Sequence, residues 1–133
     1  MTADAVRNHT NGSLNVAISN AIVSLMRQYA GRGPTKARTT IRENVVLVML
    51  EQTLTKAEQS LIAHGREDTV MEIRRAFQDA MRDESSDRVA ALTGRRVLAM
   101  MSANHLDPDL AAEIYVLDGP PERLDAVAIE PHE

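Results

Sequence analysis

"GRGPTKARTTIRENVVLVML", residues 31–50, decides how this chain folds. Gly31 follows an amphipathic stretch, at the place where a helix ends on a left-handed residue, and Pro34 forbids the helix to resume. From Lys36 to Arg42 the residues alternate: Ala37, Thr39 and Ile41 share one side, while Lys36, Arg38, Thr40 and Arg42 share the other. That is the pattern of a half-buried strand with a basic outer face. Glu43-Asn44 supplies a turn, and "VVLVML" (45–50) is a second strand, apolar on both faces and joined to the first as a tight hairpin. Crowded glycines, threonines and basic residues also suggest a phosphate loop, but the order is wrong for one. A phosphate loop runs from strand to helix and presents a positive helix N-terminus. Here a helix runs into the glycines, so the loop faces the negative end of the dipole. The first reading of residues 31–34 is a helix stop with a rigid exit, and the second is a defined contact surface.

Upstream, Leu14, Ile18, Ala21, Ile22, Leu25, Met26 and Tyr29 fall on one helical face, which predicts a helix over 14–30 with Ser13 as its N-cap. Residues 1–12 are polar and without period, and are expected to form a flexible tail. Downstream, Thr55-Lys56-Ala57-Glu58 matches a capping box. The helix it opens is expected to end near His64-Gly65, and Thr69-Val70-Met71-Glu72 offers a second box. Val70, Ile73, Phe77, Ala80 and Met81 then keep one face, until "RDESSDR" (82–88) interrupts the stripe as either exposed helix or a kink. Thr93-Gly94 closes the segment. Residues 95–102 and 110–117 read as two further strands separated by the loop "ANHLDPD", and 119–133 as a flexible acidic tail. The sum is one α+β domain over 13–118: helix, hairpin, one or two helices, hairpin, with a four-stranded, mainly antiparallel sheet and helices on one face. Val45, Leu47 and Met49 point opposite to Val46, Val48 and Leu50, so helices on one side leave an apolar face open. A homodimer is the expected cover.

Composition narrows the function classes. The chain of 133 residues has no cysteine, which removes disulfides, thiolate metal sites and a cysteine nucleophile. Aromatic residues are only 2%, so the core must be aliphatic and base-stacking platforms are missing. The net charge of −4 divides unevenly, with residues 1–42 carrying +5 and residues 43–133 carrying −9. The basic stretch is therefore local, and nucleic acid is not the expected partner. No run reaches the roughly 20 apolar residues of a membrane span, and the N-terminus lacks the order of an export signal. A cytoplasmic protein without direct membrane insertion is expected.

Candidate chemistry is sparse. Ser102, His105, Asp107 and Asp109 lie together in "SANHLDPD", but four polar residues in one hairpin loop are ordinary turn chemistry rather than a triad. His9, His64, His105 and His132 are scattered, without metal-ligand spacing. Glu58, Glu67, Asp68, Glu72, Asp79, Asp83, Glu84 and Asp87 read mostly as the wet face of the second helical region. No catalytic residue, metal site or cofactor is assigned. The candidate contact for a partner or an anion is Gly31, Arg32, Gly33 and Pro34 with Lys36, Arg38 and Arg42.

The order of motifs resembles a known family. "YAGRGPTKARTTI", "NVVLVMLEQTLTKAEQSLI", "VMEIRRAF" and "LTGRRVLAMMSANHLDPDLAAEIYVLD" together resemble the MpsC-like, or YbcI-like, family from about residue 14 to 118. That family is named for association with a cation-translocating, membrane-potential-generating system linked to inorganic carbon uptake. The resemblance implies a non-enzymatic accessory or regulatory protein that docks on a membrane transport complex or another protein, and it carries no catalytic residues. The alternative is a small-anion or nucleotide sensor that uses the same basic edge.

Overall fold

The structure, a computed structural model, describes residues 3–122, and side chains from Gly12 onward. Seven elements follow one another: α1 (Ala3–Ala30), β1 (Lys36–Arg42), β2 (Val45–Glu51), α2 (Lys56–Ala63), α3 (Glu67–Thr93), β3 (Val97–His105) and β4 (Leu110–Leu117). The strands form one sheet in the order β1-β2-β4-β3, antiparallel throughout. Two hairpins, β1–β2 and β3–β4, are thus joined side by side through β2 and β4. The α+β architecture expected from the sequence is present, with α1 and α3 packed on the same face of the sheet.

Local chemistry explains most boundaries. Gly31 takes φ 75°, its N–H bonds Arg27 O at 2.9 Å, and α1 stops. At the β1–β2 turn, Glu43 takes φ 54° and Asn44 ties the turn to the end of β4. The Thr55 capping box closes in both directions: Thr55 Oγ1 accepts from Glu58 N–H, and Glu58 Oε1 accepts from Thr55 N–H. Gly65 (φ 76°) separates α2 from α3, and Gly94 (φ 68°) ends α3 in the left-handed conformation.

Several boundaries depart from the expected ones. The first helix begins at Ala3 rather than after Ser13, since no proline and only one glycine interrupt the preceding residues. Ser13 therefore lies inside α1. The second capping box is unused: α3 has already begun at Glu67, where Glu67 and Asp68 suit the positive end of the dipole. "RDESSDR" is continuous helix. β3 runs on to His105, which shortens the loop before β4 to residues 106–109. The acidic tail expected over 119–133 lies outside the described residues from 123 onward. Its first part is tied down, because Glu122 N–H bonds Thr93 O at 2.8 Å and Gly119 packs on Arg95.

The core sits between α1, α3 and the inner sheet face: Leu14, Ile18, Ile22 and Leu25 against Val46, Val48, Leu50, Tyr115 and Leu117. Every one of these is at most 3% exposed. At 20–30 cal/mol per Å² of apolar area, burial on this scale is the main favourable term in folding.

Candidate functional site

Residues 31–42 divide into a joint and a surface. Arg32 donates to Leu54 O, tying the end of α1 to the segment before α2. Gly33 lies so close to Arg27 that an added Cβ would stand 3.0 Å from its Cγ, and Pro34 is buried. These contacts belong to the fold itself. Gly31, Arg32, Gly33 and Pro34 therefore build a rigid joint, as the first sequence reading held. Lys36, Arg38 and Arg42 are exposed along the outer face of β1. Arg38 reaches Glu51 at 4.0 Å, a loose contact with a guanidinium side chain 63% exposed. The seven candidate residues do not converge on a point where one anion would be held.

The basic strand borders an apolar sheet face. In register with Arg42, Thr40 and Arg38 stand Val45, Leu47 and Met49, and beyond those Val116, Ile114 and Ala112 of β4. Met101 and Ala103 of β3 continue the rows. All of these are half-buried or exposed; Met101 is 49% exposed and Leu98, at the β3 bulge, 57%. No described helix covers this face. It is the consequence of "VVLVML" alternating apolar with apolar.

On the opposite side of the sheet the structure contains a cleft that sequence reasoning missed. It holds about 390 Å³ between α1, α2 and α3, with Met26, Tyr29, Leu61, Ile73 and Phe77 among its walls. Its floor is polar. α3 presents Arg74, Gln78 and Ser85 on its buried face together with Val70, Met81, Val89 and Thr93. Of the expected stripe, Val70 and Met81 are buried, whereas Phe77 and Ala80 are exposed and Ile73 is half-buried, with Ile73 and Phe77 lining the cleft. The polar side chains meet polar partners: Arg74 Nε and Gln78 Nε2 donate to Asn104 Oδ1, and Gln78 Nε2 also reaches Glu113 Oε2 at 3.3 Å. Arg74 donates further to Thr53 and to Glu58 Oε1, the latter at 3.3 Å with both side chains almost fully buried. Ser102 donates to Glu113 Oε1.

Glu113 is 4% exposed in mid-strand. Burial pushes its carboxyl up to about 7, against the opposing pull of Ser102, Gln78, Arg74 and Arg82. Its neighbour Tyr115 is raised for the same reason, against the pull of Ser85, and its buried hydroxyl makes no well-formed hydrogen bond. At the mouth, the exposed Tyr29 hydroxyl donates to Glu84 at 3.0 Å, which raises its pKa.

"SANHLDPD" does not assemble a triad. Ser102 faces Glu113 under α3, whereas His105 is exposed and its Nδ1 lies 2.9 Å from Pro108 O. Asp109 accepts from Thr53 N–H, Thr53 Oγ1 and Leu54 N–H, holding the approach to α2. Among the described residues no group of three or more ligating side chains is placed for a metal ion. No helix among them is long and apolar enough to cross a membrane.

A family model described as "Na+-translocating membrane potential-generating system (MpsC)" matches residues 10–119. Comparison with curated proteins and with solved structures finds no match. The matched span takes in the helix stop at Gly31, both hairpins and the capped α2, and so runs through every strand and the whole of the cleft. The chain belongs to the MpsC family.

Proposed function

We propose that the protein is a non-catalytic accessory component of the Na+-translocating, membrane-potential-generating system after which its family is described, docking from the cytoplasmic side on a protein subunit of that system. The observation that carries this reading is the open sheet face, apolar across β2, β4 and β3 and bordered by Lys36, Arg38 and Arg42. Contiguous apolar surface rimmed by charge is the anatomy of a docking site. The charge selects the kind of occupant. A second copy of this chain would bring apolar rows but no acidic row, because the outward residues of β3 are Ala99, Met101, Ala103 and His105. A partner with an apolar ridge flanked by carboxylates complements both parts.

The test is capture of the membrane subunits of the system, identified by mass spectrometry, on immobilised protein at two ionic strengths. Capture is expected, falling about tenfold or more with Arg38→Glu plus Arg42→Glu, because like-charge contacts disfavour the complex. Failure to recover any such subunit, or equal recovery with the charge-reversed protein, overturns the reading. So does sedimentation showing that the outer face is closed by a second copy.

A further inference from the structure

The floor of the cleft has a surplus of one kind of hydrogen-bonding group. Most of its donors are spent within the protein: four of the five Arg74 N–H groups on Asn104, Thr53 and Glu58, and the Gln78 amide on Asn104 and Glu113. Acceptors are left over. A carboxylate offers about four lone-pair sites. Glu113 receives one bond on each oxygen, while the bonds to Glu58 fall on Oε1. Charge points the same way, since Glu58 and Glu113 share one buried guanidinium, that of Arg74, while Arg82, which also faces Glu113, donates to Met100 O at the surface. A smaller void of about 10 Å³ adjoins the floor, sharing Met26, Gln78, Met81 and Glu113, and Tyr115, whose hydroxyl makes no well-formed hydrogen bond, belongs to its lining. Above this floor the walls are hydrocarbon, and about 390 Å³ falls within the range of small-molecule sites.

We propose that the cleft binds a small amphipathic cation, an aryl- or alkylamine, whose hydrocarbon lies against Met26, Leu61, Ile73 and Phe77 and whose ammonium group donates to the Glu113 carboxylate. An ammonium brings donors only, matching a floor whose free capacity is mainly acceptors, on Glu58 and Glu113. It also compensates the unbalanced carboxylate. A carboxylate ligand would find most donors occupied and meet two carboxyl groups, and a neutral alcohol would supply one donor and no charge. This site is separate from the outer sheet face and stands or falls independently of it.

Protonation couples to binding. The groups that face Glu113 are Arg74, Gln78 and Arg82 from α3, Ser102 from β3, Val48 from β2 and Tyr115 from its own strand, with Met26 and Glu58 across the cleft. Burial holds its carboxyl at about 7. An amine with pKa near 10 stays charged across neutral pH. Binding then selects ionised Glu113, and affinity falls as protons occupy it.

The experiment titrates the full chain, labelled in its methionine methyls, with 2-phenylethylamine, 2-phenylethanol and 3-phenylpropionate, following Met26 and Met81 by NMR at pH 6, 7 and 8. The amine is expected to shift both methyls, binding about tenfold more tightly at pH 8 than at pH 6. The acid and the alcohol are expected to bind far more weakly. Glu113→Gln is expected to abolish the pH dependence, and Phe77→Ala, at the rim, to weaken binding several-fold while keeping it. The proposal is overturned if 3-phenylpropionate binds as tightly as the amine, or if no probe moves either methyl at millimolar concentration. A pH profile retained in Glu113→Gln overturns it equally. Should that variant fail to fold, the three-probe comparison and Phe77→Ala still decide.

Discussion

Glu113 makes folding sensitive to pH below and around neutrality. Its folded pKa is raised from 4.5 to about 7, so the native state holds this proton where the unfolded chain releases it. The stability it contributes is complete below about pH 4.5 and is lost as pH rises toward and through 7. A shift of that size corresponds to about 3 kcal/mol. Urea unfolding at a series of pH values is expected to show wild type losing stability relative to Glu113→Gln between pH 4.5 and 7, with a constant difference above about 8. A difference that does not change with pH would mean that the carboxyl is solvated in the native state. Tyr115 supplies a second check. Its hydroxyl is buried beside Ser85 without a well-formed hydrogen bond, and an unsatisfied buried polar group costs about 1–3 kcal/mol. Tyr115→Phe is therefore expected to leave stability unchanged or raise it, as read from the same urea transitions.

At the scale of elements, the sequence was most legible where local chemistry acts alone. Gly31, Gly65 and Gly94 all take positive φ, and the Thr55–Glu58 box closes as its spacing demands. Thr55→Ala is expected to cost about 1 kcal/mol, measured by thermal or urea unfolding. β1 lies where the alternation put it, and β4 covers the expected Leu110 to Leu117. Apolar pattern is a poor guide where burial is shared between polar partners. In β4 the set Leu110, Ala112, Ile114 and Val116 is the more apolar, yet it faces outward, while Ala111, Glu113, Tyr115 and Leu117 face the helices. In α3 the expected stripe keeps Val70 and Met81, but Ile73, Phe77 and Ala80 give way to Arg74, Gln78 and Ser85. Each inversion is stabilised by the other: Gln78 meets Glu113, and Arg74 meets Glu58 on a different element. Periodicity weighs one segment at a time and cannot see such a pairing, so the cleft floor stayed hidden. The basic stretch was resolved only in part, because Arg32 and Arg38 look alike in sequence. Arg32 ties Leu54 O, whereas Arg38 is exposed. Arg32→Ala is expected to cost about 1–2 kcal/mol of stability, and Arg38→Ala less than about 0.5 kcal/mol, both by denaturant titration.

The whole molecule has two unlike sides, and the proposed docking side mixes two forces that respond oppositely to salt. Lys36, Arg38 and Arg42 act through charge, whose reach shrinks from about 10 Å at 0.1 M ionic strength to about 3 Å at 1 M. Leu98 and Met101 act through apolar area, which salt does not screen. Both sets are exposed, so substitution leaves the core intact. Arg38→Glu with Arg42→Glu is expected to weaken capture strongly at low salt and hardly at all near 1 M, because little attraction then remains to be lost. Leu98→Ser with Met101→Ser is expected to weaken capture at both ionic strengths. Circular dichroism melts of both variants should match wild type to within about 0.5 kcal/mol. The two effects should add in free energy, since β1 and β3 lie at opposite edges of the sheet, beyond the distance at which substitutions couple. If the serine variants bind as wild type does at high salt, the apolar face takes no part in docking, and the basic strand alone must account for recognition.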